Sequence, residues 1–330
     1  MAEIKYPSLA SLSKCNILVT GATGLIGSVL VHTLMEYSRH YDYVVYALGR
    51  DAERAKVIFS VFENVKNFKF IQHDIIDKFE CDIDFHYIIN LASGASPNVM
   101  STIPVDIMKA NFLGTDNLLA YGITHRMKRF LYVSSGEIYG EGHGEMFAED
   151  NSGYVNSMLS RSCYPSSKRA AETLCASYAA QYGINFVVAR PCHIYGASFT
   201  ESDNRVYAQF IRNVINGEDI ILKSDGLQYR SWLYVKDCVA ALLYILLQGE
   251  NGEAYNVADE ASNLSIREMA ETVATMSSRR VVYADPSDNE VRGGSRIQQA
   301  IFRTNKLRAL GWTPCYSFRE AVKEIFEQIK

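Results

Sequence analysis

The run Gly21-Ala22-Thr23-Gly24-Leu25-Ile26-Gly27 follows directly on the β-branched segment Asn16–Thr20 and opens an apolar-periodic stretch, Leu25–Tyr37. Three glycines at this spacing, after a strand and before a helix, fit few folds. The first permits a tight turn, the second lets backbone approach a pyrophosphate, and the third lets the helix pack on the strand. The helix N-terminus then presents free N–H groups and a partial positive charge to phosphate. An ordinary turn is the alternative reading of the glycines, and the flanking strand and helix favour a dinucleotide site over it.

The rest of the first half repeats the alternation. Tyr43–Leu48, Phe68–Ile71, His86–Asn90, Phe130–Val133 and Asn185–Ala189 read as buried strands, with helices over Ala52–Val61, Val105–Tyr121 and Tyr164–Tyr182 between them. That pattern predicts an α/β fold with a parallel sheet covered on both faces. Beyond Arg190 the elements shorten, with helices over Val206–Asn216, Asp237–Leu247, Ile266–Met276 and Phe318–Ile329. We expect a dinucleotide-binding domain over residues 1–190 and a smaller α/β substrate-binding region over 191–330, with segments returning to the first.

Composition narrows the partners. Lys+Arg 33 against Asp+Glu 37 gives a net charge of -4, which argues against a nucleic-acid or anionic membrane surface as partner. No apolar run reaches the roughly 20 residues of a membrane span, and Met1–Lys14 lacks the pattern of a secretory signal. Seven scattered cysteines without C-x-x-C point away from disulfides and structural zinc, and towards the cytoplasm. No metal ligand set is expected.

The adenosine half of the cofactor is less defined. An acidic residue for the ribose 2′-OH is expected at the end of the second strand, where the chain reads Ala47-Leu48-Gly49-Arg50-Asp51, with Ala47 near the expected place. Arg50 is either a 2′-phosphate ligand, favouring NADP, or a solvated arginine at a helix start. Asp74, after the third strand, is placed to accept from an adenine amino group or is a turn aspartate.

Tyr164-Pro-Ser-Ser-Lys168 sets a phenol and an ammonium one helical turn apart. A Lys⁺ and a positive nicotinamide ring nearby would favour the phenolate, turning a group of reference pKa about 10 into a base. Ser135, in Val133-Ser134-Ser135 at a strand end, would hold the reacting hydroxyl.

With these motifs the chain resembles the extended short-chain dehydrogenase/reductases, in the branch of NAD-dependent nucleotide-sugar epimerases, dehydratases and decarboxylases. The segments Asn90–Pro97, Ser134–Gly140, Gly153–Asn156 and Arg161–Glu172 look most like UDP-glucuronate decarboxylases. The resemblance implies a Rossmann-type doubly wound sheet and a transient oxidation at sugar C4, after which the 4-keto sugar loses carbon dioxide, loses water or inverts. It implies catalytic roles for Ser135, Tyr164, Lys168 and Glu137, the last near C5. It implies cofactor contacts from Gly21, Thr23, Gly24, Leu25, Ile26, Gly27, Arg50, Asp74, Ile75, Leu91, Ala92, Ser93, Asn111 and Pro191 besides Tyr164 and Lys168. Ser96, Ser135, His193, Arg205, Arg230 and Arg292 are the implied substrate contacts, the last two on the nucleotide diphosphate. A homodimer through a four-helix bundle of Val105–Tyr121 and Tyr164–Tyr182 is also implied.

Three positions depart from the family pattern. Gly136 stands where dehydratases carry aspartate and decarboxylases serine; His193 replaces a sugar-contacting asparagine and either titrates or donates one hydrogen bond; and Asn98–Ser101 lacks a tyrosine expected at the sugar pocket. Two other readings stay open: an NADP-dependent keto-sugar or carbonyl reductase, and a non-catalytic dinucleotide sensor. Sensors of this fold commonly lose the Tyr/Lys pair, which is present here.

Overall fold

The computed structural model describes residues 4–142, 144–199, 203–285 and 297–329. Strands β1 (Asn16–Thr20), β2 (Val44–Gly49) and β3 (Phe68–Gln72) alternate with helices α1 (Leu25–Tyr41) and α2 (Ala52–Ile58). Next come β4 (Tyr87–Asn90), α3 (Pro97–Thr102), α4 (Pro104–Thr124), β5 (Arg129–Val133), α5 (Cys163–Tyr182) and β6 (Phe186–Pro191). The remainder contributes β7 (His193–Tyr195), α6 (Val206–Ile215), β8 (Ile220–Leu222), β9 (Tyr229–Tyr234), α7 (Val235–Gln248) and β10 (Ala254–Val257). It closes with β11 (Asn263–Ser265), α8 (Ile266–Met276), β12 (Val281–Tyr283), β13 (Gln299–Ala300), α9 (Asn305–Ala309) and α10 (Phe318–Ile329).

The main sheet has seven parallel strands in the order β10-β6-β5-β4-β1-β2-β3. Successive side chains point to opposite faces, and both faces are covered, so the central strands read as unbroken apolar runs rather than alternations. Ile17, Val19, Ile89, Leu131 and Val187 face one core layer, which includes residues of α1 and α7. Leu18, Ile88, Phe130, Tyr132 and Val188 face the other, with α4 and α5. Strand order reverses between β1 and β4, and such reversal opens a crevice at the carboxyl ends of the strands.

The second lobe is built on β9, with β11 antiparallel on one side, β13 parallel on the other and β7 parallel to it. Because β7 follows β6 with Cys192 alone between them, the chain passes directly from the large sheet into the small one. β8 pairs with β12, beside α6 and α8. Buried polar groups tie the parts together. Arg190 on β6 grips Glu172 on α5 through two hydrogen bonds of 3.1 and 2.7 Å. Asp237, at the start of α7, accepts from the backbone N–H of Cys315 and Tyr316 at 2.9 and 3.0 Å.

The expected elements are present, with one break. The helix over Ala52–Val61 stops at Ile58 and passes into a 3₁₀ turn, Ser60–Phe62. Val57 and Val61 are exposed there, so no buried stripe extends the α-helix. His86 lies just outside β4, its Nδ1 accepting from the Asn16 backbone N–H at 3.0 Å. Among the described residues, no helix is long and apolar enough to cross a membrane.

Candidate active site

The glycine loop lines the crevice between β1 and β4. Gly21 has φ +62°, and a Cβ there would come within 2.8 Å of the Leu91 and Ala92 backbone. A Cβ on Gly27 would lie 2.2 Å from the Gly21 carbonyl oxygen. A side chain at Gly21 would close the crevice, and one at Gly27 would push α1 off the loop that follows β1. The N-cap of α1 is Gly24, with no side chain capping the helix, so its first N–H groups face the crevice as phosphate donors. Across it, Asn90 is locked by the Thr20 hydroxyl (2.7 Å) and donates to Thr115 (3.1 Å). The buried Ser93 and Ser134 hydroxyls, which follow β4 and β5, have no hydrogen-bond partner, and neither does Oδ1 of Asn111. Buried polar groups are normally satisfied. A narrow cradle, an uncapped helix and unsatisfied polar atoms fit a bound dinucleotide.

Other residues expected at the cofactor are placed unevenly. Thr23 is partly exposed and Leu25 buried, at the helix start; Ile26 is partly exposed; Leu91 and Ala92 flank Gly21; and Pro191 ends β6, buried. Ile75 is only 5% exposed and belongs to the core beneath α4. The ribose position needs correction. Ala47 is buried in the middle of β2, paired with Val19 and Phe70. The strand runs on to Gly49, so the first side chain past its end is that of Arg50. Asp51 is used as the N-cap of α2, accepting from the Arg54 N–H at 2.9 Å. Arg50 is exposed and loosely paired with Asp74 at 3.5 Å.

The reaction centre forms where β5 meets α5. Ser135 caps the 3₁₀ turn Gly136–Tyr139, its hydroxyl accepting from the Glu137 N–H at 3.1 Å. Tyr164 lies in the first turn of α5, where Pro165 is tolerated because the N–H it lacks has no helical partner there. Burial pushes the Tyr164 phenol up to about 12, the Glu137 charge adds to this, and Ser135, Arg161 and Arg205 oppose it. Lys168, one turn on and 2% exposed, donates to the Val133 carbonyl at 2.8 Å. Burial lowers its ammonium to about 7, against the opposing charge of Glu172.

Lys168 Nζ lies over the faces of Tyr132 and Tyr164, 4.9 and 5.8 Å from the ring centroids. The positive charges that lower the Tyr164 phenol here are those of Arg161 and Arg205. Arg161 is a residue that motif reasoning missed: its Nη1 and Nη2 donate to the two carboxylate oxygens of Glu137 at 3.0 and 2.9 Å. The signal was its place three residues before Tyr164, but nothing local says that Glu137 would meet it.

On the substrate side, Arg230 is no solvated arginine. It is 4% exposed and donates to the carbonyls of Tyr229, Ile297 and Gln298. Burial lowers its guanidinium to about 10, with Glu137 the charge that offsets this. His193 opens towards solvent and packs on Trp232, ring centroids 5.2 Å apart. Desolvation by its neighbours and then the Arg230 charge lower its imidazole from the usual value. Arg205 grips Asp203 through Nε (2.9 Å) and donates to the Tyr207 hydroxyl (2.8 Å). Ser96 is the N-cap residue of α3, without a side-chain cap bond. Arg292 lies outside the described residues.

Comparison with known proteins agrees with this geometry. The model of the NAD dependent epimerase/dehydratase family matches residues 17–258. A UDP-glucuronic acid decarboxylase of Arabidopsis thaliana is 32% identical over 325 residues, covering 96% of this chain and 90% of the relative. The crystal structure of a Thermus thermophilus UDP-glucose 4-epimerase complexed with NAD superposes with a TM-score of 0.77 at 26% identity, covering 94% of this chain and 98% of the other. A UDP-glucuronic acid 4-epimerase from Bacillus cereus shares the fold with a TM-score of 0.81 at 22% identity, covering 96% and 100%. A glycine cradle at the β1/β4 reversal, a Ser-Tyr-Lys set at the end of β5, and a family match over most of the chain converge: this protein belongs to the NAD dependent epimerase/dehydratase family.

Proposed function

We propose that this enzyme modifies a nucleotide-diphosphate sugar through a transient ketone at sugar C4, in the manner of a UDP-glucuronate decarboxylase. The observation that carries the reading is the convergence of Ser135, Tyr164 and Lys168 beside the crevice built by Gly21–Gly27. NAD, when bound, supplies the hydride acceptor and a positive ring beside Tyr164. The chain's part is proton movement and positioning. Ser135 holds the C4 hydroxyl, and Tyr164 takes its proton once positive charge brings the phenol down from about 12. Lys168, with donors to spare beyond Val133, orients the nicotinamide ribose. The C4 ketone makes a C5 carboxylate a β-keto acid, whose carbon dioxide leaves while the bonding electrons pass to the C4 oxygen. Glu137 assists protonation at C5, and Tyr164 returns its proton to the C4 oxygen as hydride is restored. Arg230 lies buried with carbonyl partners and, among the described residues, no carboxylate in hydrogen-bonding contact, which suits the nucleotide diphosphate; Arg205 stands on the sugar side.

We take the cofactor to be NAD and the protein to be a homodimer of the cytoplasm. The described cysteines are free thiols, in keeping with a reducing compartment. Val105, Met108 and Phe112 are exposed on α4, on one face by their spacing, beside a groove completed by Ser166 and Ala170 of α5; a second copy would cover them. One observation favours a second reading: the first side chain past the end of β2 is the exposed Arg50 and not a carboxylate, as an NADP-dependent keto-sugar reductase would require.

The test is incubation with UDP-glucuronate, UDP-glucose, UDP-N-acetylglucosamine and dTDP-glucose, following product mass and reduced-nicotinamide absorbance. Loss of carbon dioxide from UDP-glucuronate without net cofactor reduction is the expected result. Stoichiometric consumption of NADPH would replace this reading with the reductase. Tyr164→Phe is expected to lose at least about a hundredfold in rate, and an undiminished rate would overturn the mechanism.

A further inference from the structure

We propose that Arg161 is a positioning residue of the reaction centre, whose guanidinium fork fixes the Glu137 carboxylate and cancels its charge beside the Tyr164 phenol. The inference rests on the reading that Tyr164 takes the C4 proton. Three links carry it. Arg161 and Glu137 make two parallel hydrogen bonds, 3.0 and 2.9 Å, with both side chains about a third exposed; such a paired fork sets the carboxylate plane as well as its place. The Glu137 N–H is in turn held by the Ser135 hydroxyl at 3.1 Å, so the same residue is tied at its backbone to the proton-sharing serine and at its carboxylate to Arg161. Finally, Arg161 lies in the 3₁₀ turn Ser160–Ser162 that leads directly into α5, three residues before Tyr164, so the fork ties the turn after β5 to the start of that helix.

The groups facing the phenol define what Arg161 does. Glu137 opposes the phenolate; Ser135, Arg161 and Arg205 favour it; Lys168 lies over the ring face; Met100 and Ile107 close the site with apolar surface. Glu137 also faces Arg230, which it stabilises electrostatically. Without Arg161 the Glu137 carboxylate would lose its hydrogen-bonded counter-charge and keep only the facing charge of Arg230, next to the group that must become an anion. It would also lose its fixed orientation towards the sugar. A carboxylate is thus kept at the site for proton transfer without suppressing the base beside it.

The test uses NAD-loaded protein labelled with ¹³C at the tyrosine ζ carbon, the Tyr164 resonance being identified by its loss in Tyr164→Phe. Arg161→Gln is expected to raise the Tyr164 titration midpoint by roughly one pH unit or more, Glu137→Gln to lower it, and the double variant to return it near the parent. Arg161→Lys keeps the charge without the fork, so its midpoint stays near the parent while kcat with UDP-glucuronate falls about tenfold or more at nearly constant KM. A midpoint unmoved by Arg161→Gln would overturn the proposal. If that variant does not fold, a midpoint unmoved by Glu137→Gln would overturn it equally. Full activity of Tyr164→Phe would instead remove the catalytic reading and leave the electrostatic result standing.

Discussion

Phe302 occupies the space that any side chain at position 136 would need: a Cβ on Gly136 would lie 2.4 Å from Cζ of the Phe302 ring. Phe302 is 1% exposed and packs with Tyr139 and Phe147, 5.8 and 5.7 Å away between ring centroids. The glycine that departs from the family pattern is therefore one half of a packing pair, completed by a residue 166 positions later. Gly136→Ser should cost about 1–3 kcal/mol by overpacking. Phe302→Leu in the same chain should recover most of that loss relative to the Phe302→Leu single variant. Urea denaturation of the four proteins measures the coupling, and additive losses would show that the two positions do not compete.

Lys168 should hold the protein's function at a cost in stability. Its folded-state value, lowered to about 7 from 10.5 by burial, means that the unfolded chain binds the extra proton between those limits, so this group's contribution rises with pH from about 7 to 10. The penalty is full below pH 7. Lys168→Met removes it, leaving the Val133 carbonyl without its donor, and should raise the melting temperature of cofactor-free protein at pH 6 by a few degrees (roughly 2–4 °C per kcal/mol at this size) while abolishing turnover. The advantage should shrink as pH approaches 10. A variant that melts lower than the parent at pH 6 contradicts this account.

Arg50 gives a test of the choice between the two nicotinamide cofactors. If NAD is resident, Arg50→Ala should change NAD affinity by less than about threefold, since the side chain is exposed and only loosely paired with Asp74 at 3.5 Å. Any NADP affinity should fall about tenfold or more with loss of the guanidinium. Calorimetric titration of cofactor-free protein with each dinucleotide distinguishes them, and parent protein that binds NADP more tightly than NAD would favour the reductase.

The exposed apolar face of α4 makes a prediction about assembly. Phe112 is 39% exposed on a helix whose neighbours Met108 and Leu113 are also open. Phe112→Glu should convert the protein to a monomer in sedimentation equilibrium with its α/β circular dichroism intact. A parent that sediments as a monomer at micromolar concentration removes the dimer.

Local chemistry carried the fold a long way. The buried strands of the main sheet are continuous apolar runs because both faces are covered, and the glycine loop announces its crevice through residues adjacent in the chain. Tyr164 and Lys168 were legible because one helix turn relates them. The helix over Ala52–Val61 was misjudged because Val57 and Val61 have helical spacing but no core to meet. Ala47 was misplaced because strand ends are not marked in composition: β2 runs to Gly49 by pairing with β3.

What lay outside local reach is the pairing of distant residues. The identity of Tyr164, Lys168 and the glycines set the kind of chemistry available, since their relation is contained in single turns of backbone. The fold alone decided that Arg161 meets Glu137, that Phe302 fills the void beside Gly136, and that Lys168 lies over the Tyr132 and Tyr164 rings. Those outcomes depend on how α5, the turn after β5 and the returning C-terminal segment pack together. Burial there is what raises Tyr164 and lowers Lys168, because desolvation is a property of the assembled site and not of any residue within it.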